Sequence, residues 1–184
     1  MFLWHALNAG WEVTGLEPSE TLSAQAIQNL GGKGDIQCAT LENARLRGGF
    51  DALTLWDVLE HVTYPVEFLR ACSTLLRPGG MLFLTVPDLD SLEARLLGRR
   101  WPLLLPEHLN YFTRGSLRRC GQSVGLTLIG FGRRRVYFSV KYVSYRLAQH
   151  HIPGAAILHQ LTSGAFGRTM IPLSLGETYA VWRR

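Results

Sequence analysis

This sequence predicts an α/β fold built on an open, doubly wound, mostly parallel sheet, and three observations carry that expectation. Short β-rich runs alternate with stretches of helical periodicity through the first half of the chain, the pattern of parallel strands joined by right-handed crossovers. Ala52 to Trp56 is a nearly continuous apolar run, as expected of a strand covered by helices on both faces. That run leads directly into Asp57, Glu60 and His61, and in open α/β sheets the carboxyl ends of the strands border the ligand crevice.

The elements follow in order. Phe2 to Asn8 reads as the end of a helix closed by Gly10, a residue that tolerates the left-handed conformation after a last turn. Trp11 to Leu16 is a short strand that stops at Pro18, and Ser19 caps a helix from Glu20 to Leu30. Asp35 to Cys38 is a brief strand. After Pro65, Val66, Phe68, Leu69, Cys72, Leu75 and Leu76 recur at mostly helical spacing; Arg77-Pro78-Gly79-Gly80 then turns the chain into a strand from Met81 to Val86. Beyond Pro87, Ser91 to Leu97 is helical and Trp101 to Pro106 is a proline-bound apolar loop. Thr113 caps a helix to Val124, Leu126 to Phe131 is a strand, Val140 to His150 is an amphipathic helix, and Thr178 to Trp182 is a last strand, expected to run antiparallel. The whole reads as one domain over 1–184, with a cofactor-binding part over 1–87, a substrate-side region over 88–125, and C-terminal strands and a helix over 126–184.

Composition narrows the class. With 184 residues, 47% hydrophobic and 18% charged, the chain has material for a sizeable core and is not a disordered tail. Cys38, Cys72 and Cys120 form no C-x-x-C pair and read as buried reduced thiols. No apolar run reaches the ~18 residues of a membrane span, and the N-terminus lacks the features of a signal peptide, so a cytoplasmic protein is expected. The net charge of +5 permits an anionic partner. Arg133-Arg134-Arg135 with Tyr137, Phe138, Tyr142 and Tyr145 would suit nucleic acid by charge and stacking. A solvated turn followed by a helix packing its aromatics inward is the reading preferred, with no nucleic-acid partner; an interfacial helix admitting a lipid-like substrate is a further option. Oligomeric state is left open.

The order Val13-Thr14-Gly15-Leu16-Glu17-Pro18-Ser19, then Phe50-Asp51 through Trp56-Asp57-Val58-Leu59-Glu60-His61-Val62, then Leu76-Arg77-Pro78-Gly79-Gly80 and a strand ending in Val86-Pro87, resembles a class I S-adenosylmethionine-dependent methyltransferase. Glu107-His108-Leu109-Asn110-Tyr111-Phe112-Thr113 is similar to a stretch in the branch of the ubiquinone-pathway O-methyltransferases. The resemblance implies a Rossmann-like fold, S-adenosylmethionine as cofactor, and methyl transfer to a small-molecule acceptor, with oxygen the expected nucleophile. It also exposes a departure. The family's first strand, with its D/E-x-G-x-G motif, is absent, so the chain is expected to be truncated at its N-terminus. That would leave open edges on the strands containing Val13 and Leu53. A non-catalytic protein of the same fold is therefore the alternative, and a nicotinamide-dependent oxidoreductase a weaker one, since no G-x-G-x-x-G follows a strand.

The resemblance implies that Glu17 accepts hydrogen bonds from the ribose hydroxyls, that Thr40, Leu41 and Glu42 hold adenine, and that Trp56 and Asp57 face the methionine half. Without it, Glu17 is an acid at a helix N-terminus, the 40–42 segment an ordinary loop, and Trp56 a core aromatic. Were a helix to begin near Asp57, Asp57, Glu60 and His61 would fall on one face. They would then be candidate ligands for a divalent ion; helix-terminal acids with a hydrogen-bonded histidine are the competing and preferred account, and no metal is expected. His61 has a catalytic or substrate-positioning reading, and His108 that of a base for a hydroxyl nucleophile. For His108 the competing account is a histidine that orders its loop.

Overall fold

The computed structural model describes residues 2–149, 154–162 and 164–184, in two compact units that divide between Arg47 and Gly48. The first unit contains α1 (Phe2–Asn8), β1 (Thr14–Leu16), α2 (Glu20–Asn29) and β2 (Asp35–Gln37). β1 and β2 pair in parallel, Thr14 with Asp35 and Leu16 with Gln37. Gly10 follows α1 at φ +85°, and the Ser19 hydroxyl accepts from Leu22 N at 3.4 Å to start α2. A Cβ on Gly15 would lie 2.7 Å from Ile36 Cδ1 and 2.8 Å from Leu3 Cδ1, so a side chain there would require both methyl ends to turn aside. The strand expected from Trp11 begins three residues later, with Trp11 itself exposed.

The second unit contains β3 (Phe50–Trp56), α3 (Pro65–Leu75), β4 (Leu76–Pro87), α4 (Leu92–Leu97), α5 (Arg114–Gln122), β5 (Thr127–Arg133), β6 (Val136–Ser139), α6 (Val140–Gln149), α7 (Ala155–Leu161), β7 (Met170–Leu173) and β8 (Glu177–Arg183). The main sheet has the order β3-β4-β8-β5. β3 and β4 are parallel, and β8 runs antiparallel to both of its neighbours. β6 and β7 form a separate antiparallel ribbon.

One face of the main sheet forms the core. Leu82, Leu84 and Val86 of β4 and Thr178, Ala180 and Trp182 of β8 are buried, as are Leu69 and Cys72 of α3 and Leu117 of α5. Gly121 of α5 lies on the Trp182 indole, where a Cβ would come within 2.8 Å of Nε1. The Thr113 hydroxyl and the Ser116 hydroxyl close a reciprocal capping box that starts α5.

Several expectations are corrected. β3 is not buried on both faces; it is an edge strand of the main sheet and its interior residues are only half-buried. Arg77–Gly80 is not a turn between elements but a bulged part of β4: Leu76 pairs with Phe50 and Met81 with Ala52. Gly79 at φ +77° carries the bulge, and the segment is held to the C-terminus by Gly79 N to Arg184 O and Arg184 N to Gly80 O, both 3.0 Å. α6 spans Val140–Gln149, and His150 lies outside the described residues. Cys72 is buried and its thiol is pushed up to about 12 by burial. Cys38, by contrast, is exposed beyond β2, where its thiol donates to Pro18 O. Among the described residues no helix is long and apolar enough to cross a membrane.

Candidate functional site

The second unit gathers its ionisable groups at the carboxyl edge of β3 and β4. Asp57, the first residue past β3, has φ 54°, a strained position for a residue with a Cβ that must be held by its surroundings. Thr85 Oγ1 donates to Asp57 Oδ1 at 2.6 Å and accepts from Asp57 N at 3.2 Å. Arg134, just past β5, places Nη1 3.2 and 3.1 Å from the two Asp57 oxygens and 3.1 Å from Glu177 Oε2. Because β8 runs antiparallel, its first residue Glu177 lies at the same edge as the last residues of β4 and β5.

A helix beginning near Asp57, the condition under which Asp57, Glu60 and His61 would share one face, does not form. The chain instead makes a single 3-10 turn, Leu59–His61, and Asp57 is turned toward Arg134 and Thr85. Arg134 is a residue that sequence reasoning missed, since the three consecutive arginines look alike and the partners Asp57 and Glu177 are remote in sequence.

The turn brings a different set together. One ligand atom each from Glu60, His61 and His108 lies within 4.8 Å of the others, and the two imidazole rings meet edge to face with centroids 4.8 Å apart. His61 Nδ1 is 3.0 Å from Glu107 O, and His108 Nδ1 is 2.9 Å from Leu103 O. A carbonyl only accepts, so each Nδ1 carries a proton, and the atom left on each ring to present a lone pair is Nε2. That arrangement equips both rings to take a proton or to bind a cation.

The 101–113 segment is stapled over this turn. Asn110 N donates to Glu60 O at 3.0 Å and Asn110 Nδ2 to Val62 O at 2.7 Å. Trp101, 3% exposed, donates Nε1 to Leu175 O at 2.7 Å, and Leu89 N donates to Phe112 O at 2.8 Å. These hydrogen bonds tie the backbone of the segment to the turn.

Glu60 is buried, with Oε2 lacking a hydrogen-bond partner. Burial pushes its carboxyl up to about 7, with Asp57 and Glu177 adding to the effect and a backbone hydrogen bond and His61 opposing it. The folded value lies above the unfolded value of 4.5, so the neutral acid stabilises the fold fully below that pH and the contribution is lost as pH rises toward 7. In EDTA, Tm is expected to fall across this window, and Glu60→Gln to flatten most of the decline while adding about 3 kcal/mol at pH 8. Glu177 and Asp88, also raised by burial, leave a residual slope. An unaltered slope in the variant would assign the dependence to other groups.

In the first unit, Glu17 stands directly after β1, its amide donating to Gln37 O at 3.1 Å and its Oε1 accepting from Ser19 N at 2.9 Å. Thr40, Leu41 and Glu42 form the turn after β2, where Thr40 O accepts from Ala44 N at 3.0 Å. A backbone hydrogen bond and the Thr40 hydroxyl hold the Glu42 carboxyl below the usual range. Trp56, in the second unit, is the last residue of β3 and 45% exposed, so it is not a plain core aromatic.

A family model described as a methyltransferase domain matches residues 1–130. The ubiquinone biosynthesis O-methyltransferase of Chromobacterium violaceum is 34% identical over 139 residues, 67% of this chain and 60% of the relative. The chain thus spans about three fifths of the length of that relative. Among solved structures, a SAM-dependent methyltransferase from Archaeoglobus fulgidus matches at TM-score 0.59 and 15% identity, over 100% of this chain and 80% of the other. The magnesium protoporphyrin IX methyltransferase of Synechocystis, solved with bound SAH, matches at TM-score 0.58 and 17% identity, over 96% of this chain and 66% of the other. At these identities the structural likeness is one of fold.

Proposed function

Since the chain belongs to the class I S-adenosylmethionine-dependent methyltransferase family, we propose that it takes part in methyl transfer from S-adenosylmethionine to an oxygen of a small-molecule acceptor. The observation that carries the reading is the pair of Nε2 lone pairs of His61 and His108, beside a buried carboxyl group, under a stapled loop. The relative's name, an O-methyltransferase, supports oxygen as the acceptor atom.

Each unit by itself offers residues of a chemistry that the cofactor could use. In the first unit, the Glu17 carboxylate would accept from the ribose diol, and Thr40 and Leu41 would offer a hydroxyl and an apolar wall to adenine. In the second, Asp57 already receives cationic N–H donors from Arg134, the chemistry that the ammonium of the methionine part requires, and Trp56 would flank that part. When bound, S-adenosylmethionine supplies an electrophilic methyl group on its sulfonium. The protein's own part is to orient the acceptor hydroxyl, to exclude water with the 101–113 segment, and to receive the hydroxyl proton at His108 Nε2 or His61 Nε2. Arg134 and Thr85 hold the Asp57 carboxylate in place.

Glu17→Ala is expected to weaken S-adenosylmethionine binding roughly 10- to 100-fold, the effect of removing a charged hydrogen-bond acceptor. Titration calorimetry on the protein and its variant checks this, and an unchanged Kd would remove Glu17 from the site. The function itself is tested by transfer of a labelled methyl group to a panel of phenols and catechols. A protein that binds neither S-adenosylmethionine nor SAH would overturn the reading in favour of a non-catalytic member of the fold.

A further inference from the structure

β5 and β8 are antiparallel neighbours, yet the chain between them makes an excursion that holds β6, α6, α7 and β7. We propose that this excursion docks on the surface of an anionic lipid bilayer.

Its charge has one sign. From His108 to Gly176 the sequence contains no Asp or Glu. Within the excursion Arg135, Lys141 and Arg168 are exposed, whereas Arg134 is engaged by Asp57 and Glu177. Nothing in the excursion would repel an anionic headgroup, and each cation near such a surface is attracted to it.

Its exposed side chains are apolar to an extent that water does not favour. Tyr137 is 64% exposed, Ile157 66%, Leu161 73%, Phe166 63% and Met170 53%. In the β6–β7 ribbon Tyr137 lies opposite Pro172 and Ser139 opposite Met170, so Tyr137, Met170 and Pro172 share one outward face. Phe138 points to the other face and stacks on Tyr142, with centroids 5.4 Å apart and rings within 10° of parallel. Ile157 and Leu161, four residues apart, share one face of α7. These outward positions correct the expectation that the aromatics of this region pack inward.

Apolar anchors and a tyrosine among cations are what an interfacial segment needs: the apolar groups enter the headgroup boundary and the cations hold its anions. A cavity of about 350 Å³ lined by Ser139, Lys141, Tyr142, Tyr145 and His159 offers a cation and hydroxyls to one phosphate headgroup. Single-stranded nucleic acid is the less suited occupant, because Ile157, Leu161 and Met170 give a base no flat surface to stack on.

The test is co-sedimentation of the protein with vesicles of phosphatidylcholine alone and of equimolar phosphatidylcholine and phosphatidylglycerol. Binding is expected only to the anionic vesicles and to weaken with salt. Lys141→Gln with Arg168→Gln, and separately Ile157→Ser with Leu161→Ser, are each expected to lower partitioning roughly tenfold or more, with circular dichroism unchanged. If the α7 pair disturbs folding, Tyr137→Ser with Met170→Ser on the ribbon probes the same surface. Failure of the wild type to sediment, equal binding to neutral vesicles, variants that partition like the wild type, or binding of a single-stranded oligonucleotide in place of vesicles would each overturn the proposal.

Discussion

His108→Ala is expected to lower kcat for methyl transfer by about 10²- to 10⁴-fold, the range for removal of a positioned general base, with the Kd for S-adenosylmethionine little changed. The expectation rests on the tautomer: with Nδ1–H given to Leu103 O, Nε2 is the atom left to receive a proton. His61, its ring centroid 4.8 Å away, is close enough for the two imidazoles to act as one unit, so the double variant should cost less than the two single losses combined. His108→Gln separates chemistry from loop order. Its amide can still donate to Leu103 O, so stability should be retained while the rate is lost. A rate restored by Gln would make His108 a residue that only orders its loop. Activity that disappears in EDTA and returns with a divalent cation would instead assign Glu60, His61 and His108 to a metal, the grouping their 4.8 Å proximity allows.

The largest loss of stability is expected at Trp182. Trp182→Ala should destabilise the protein by about 3–5 kcal/mol, the cost of a cavity left by a buried aromatic. Trp182 is 0% exposed, pairs across β8 with Leu82 of β4 and Leu128 of β5, and fills the space beside Gly121 of α5. It therefore joins the sheet to the helical layer, and no small side chain can replace it without leaving a void. Urea unfolding followed by circular dichroism measures the loss, and a change below about 1 kcal/mol would show that the site collapses around the smaller residue. Gly121→Ala is expected to destabilise the same packing from the other side.

Helix starts and stops were legible because their chemistry is local. Ser19 and Thr113 accept from amides within three residues, and Gly10 takes its positive φ for want of a Cβ. β6, β7 and α7 were not legible: Val136 to Ser139 runs into α6 without a turn residue to separate them, and the pairing partner of β6 begins only at Met170. Likewise, the run Ala52 to Trp56 announces a strand, but that its interior residues are only half-buried depends on what the rest of the chain packs against its faces.

The same division holds at the candidate site. Composition and local pattern by themselves determined that this is an α/β protein, and the ordered motifs pointed to the methyltransferase family, with His61 and His108 as candidate catalytic or positioning residues. Only the tertiary structure decided that Asp57 turns to Arg134, 77 residues away in sequence, and that His108 joins Glu60 and His61 in its stead. The reason is physical: caps, turns and periodicity act over a few residues and are written in neighbouring side chains. The partner of a carboxylate or an imidazole, by contrast, is chosen by strand order and loop path, which arise from packing of the whole chain.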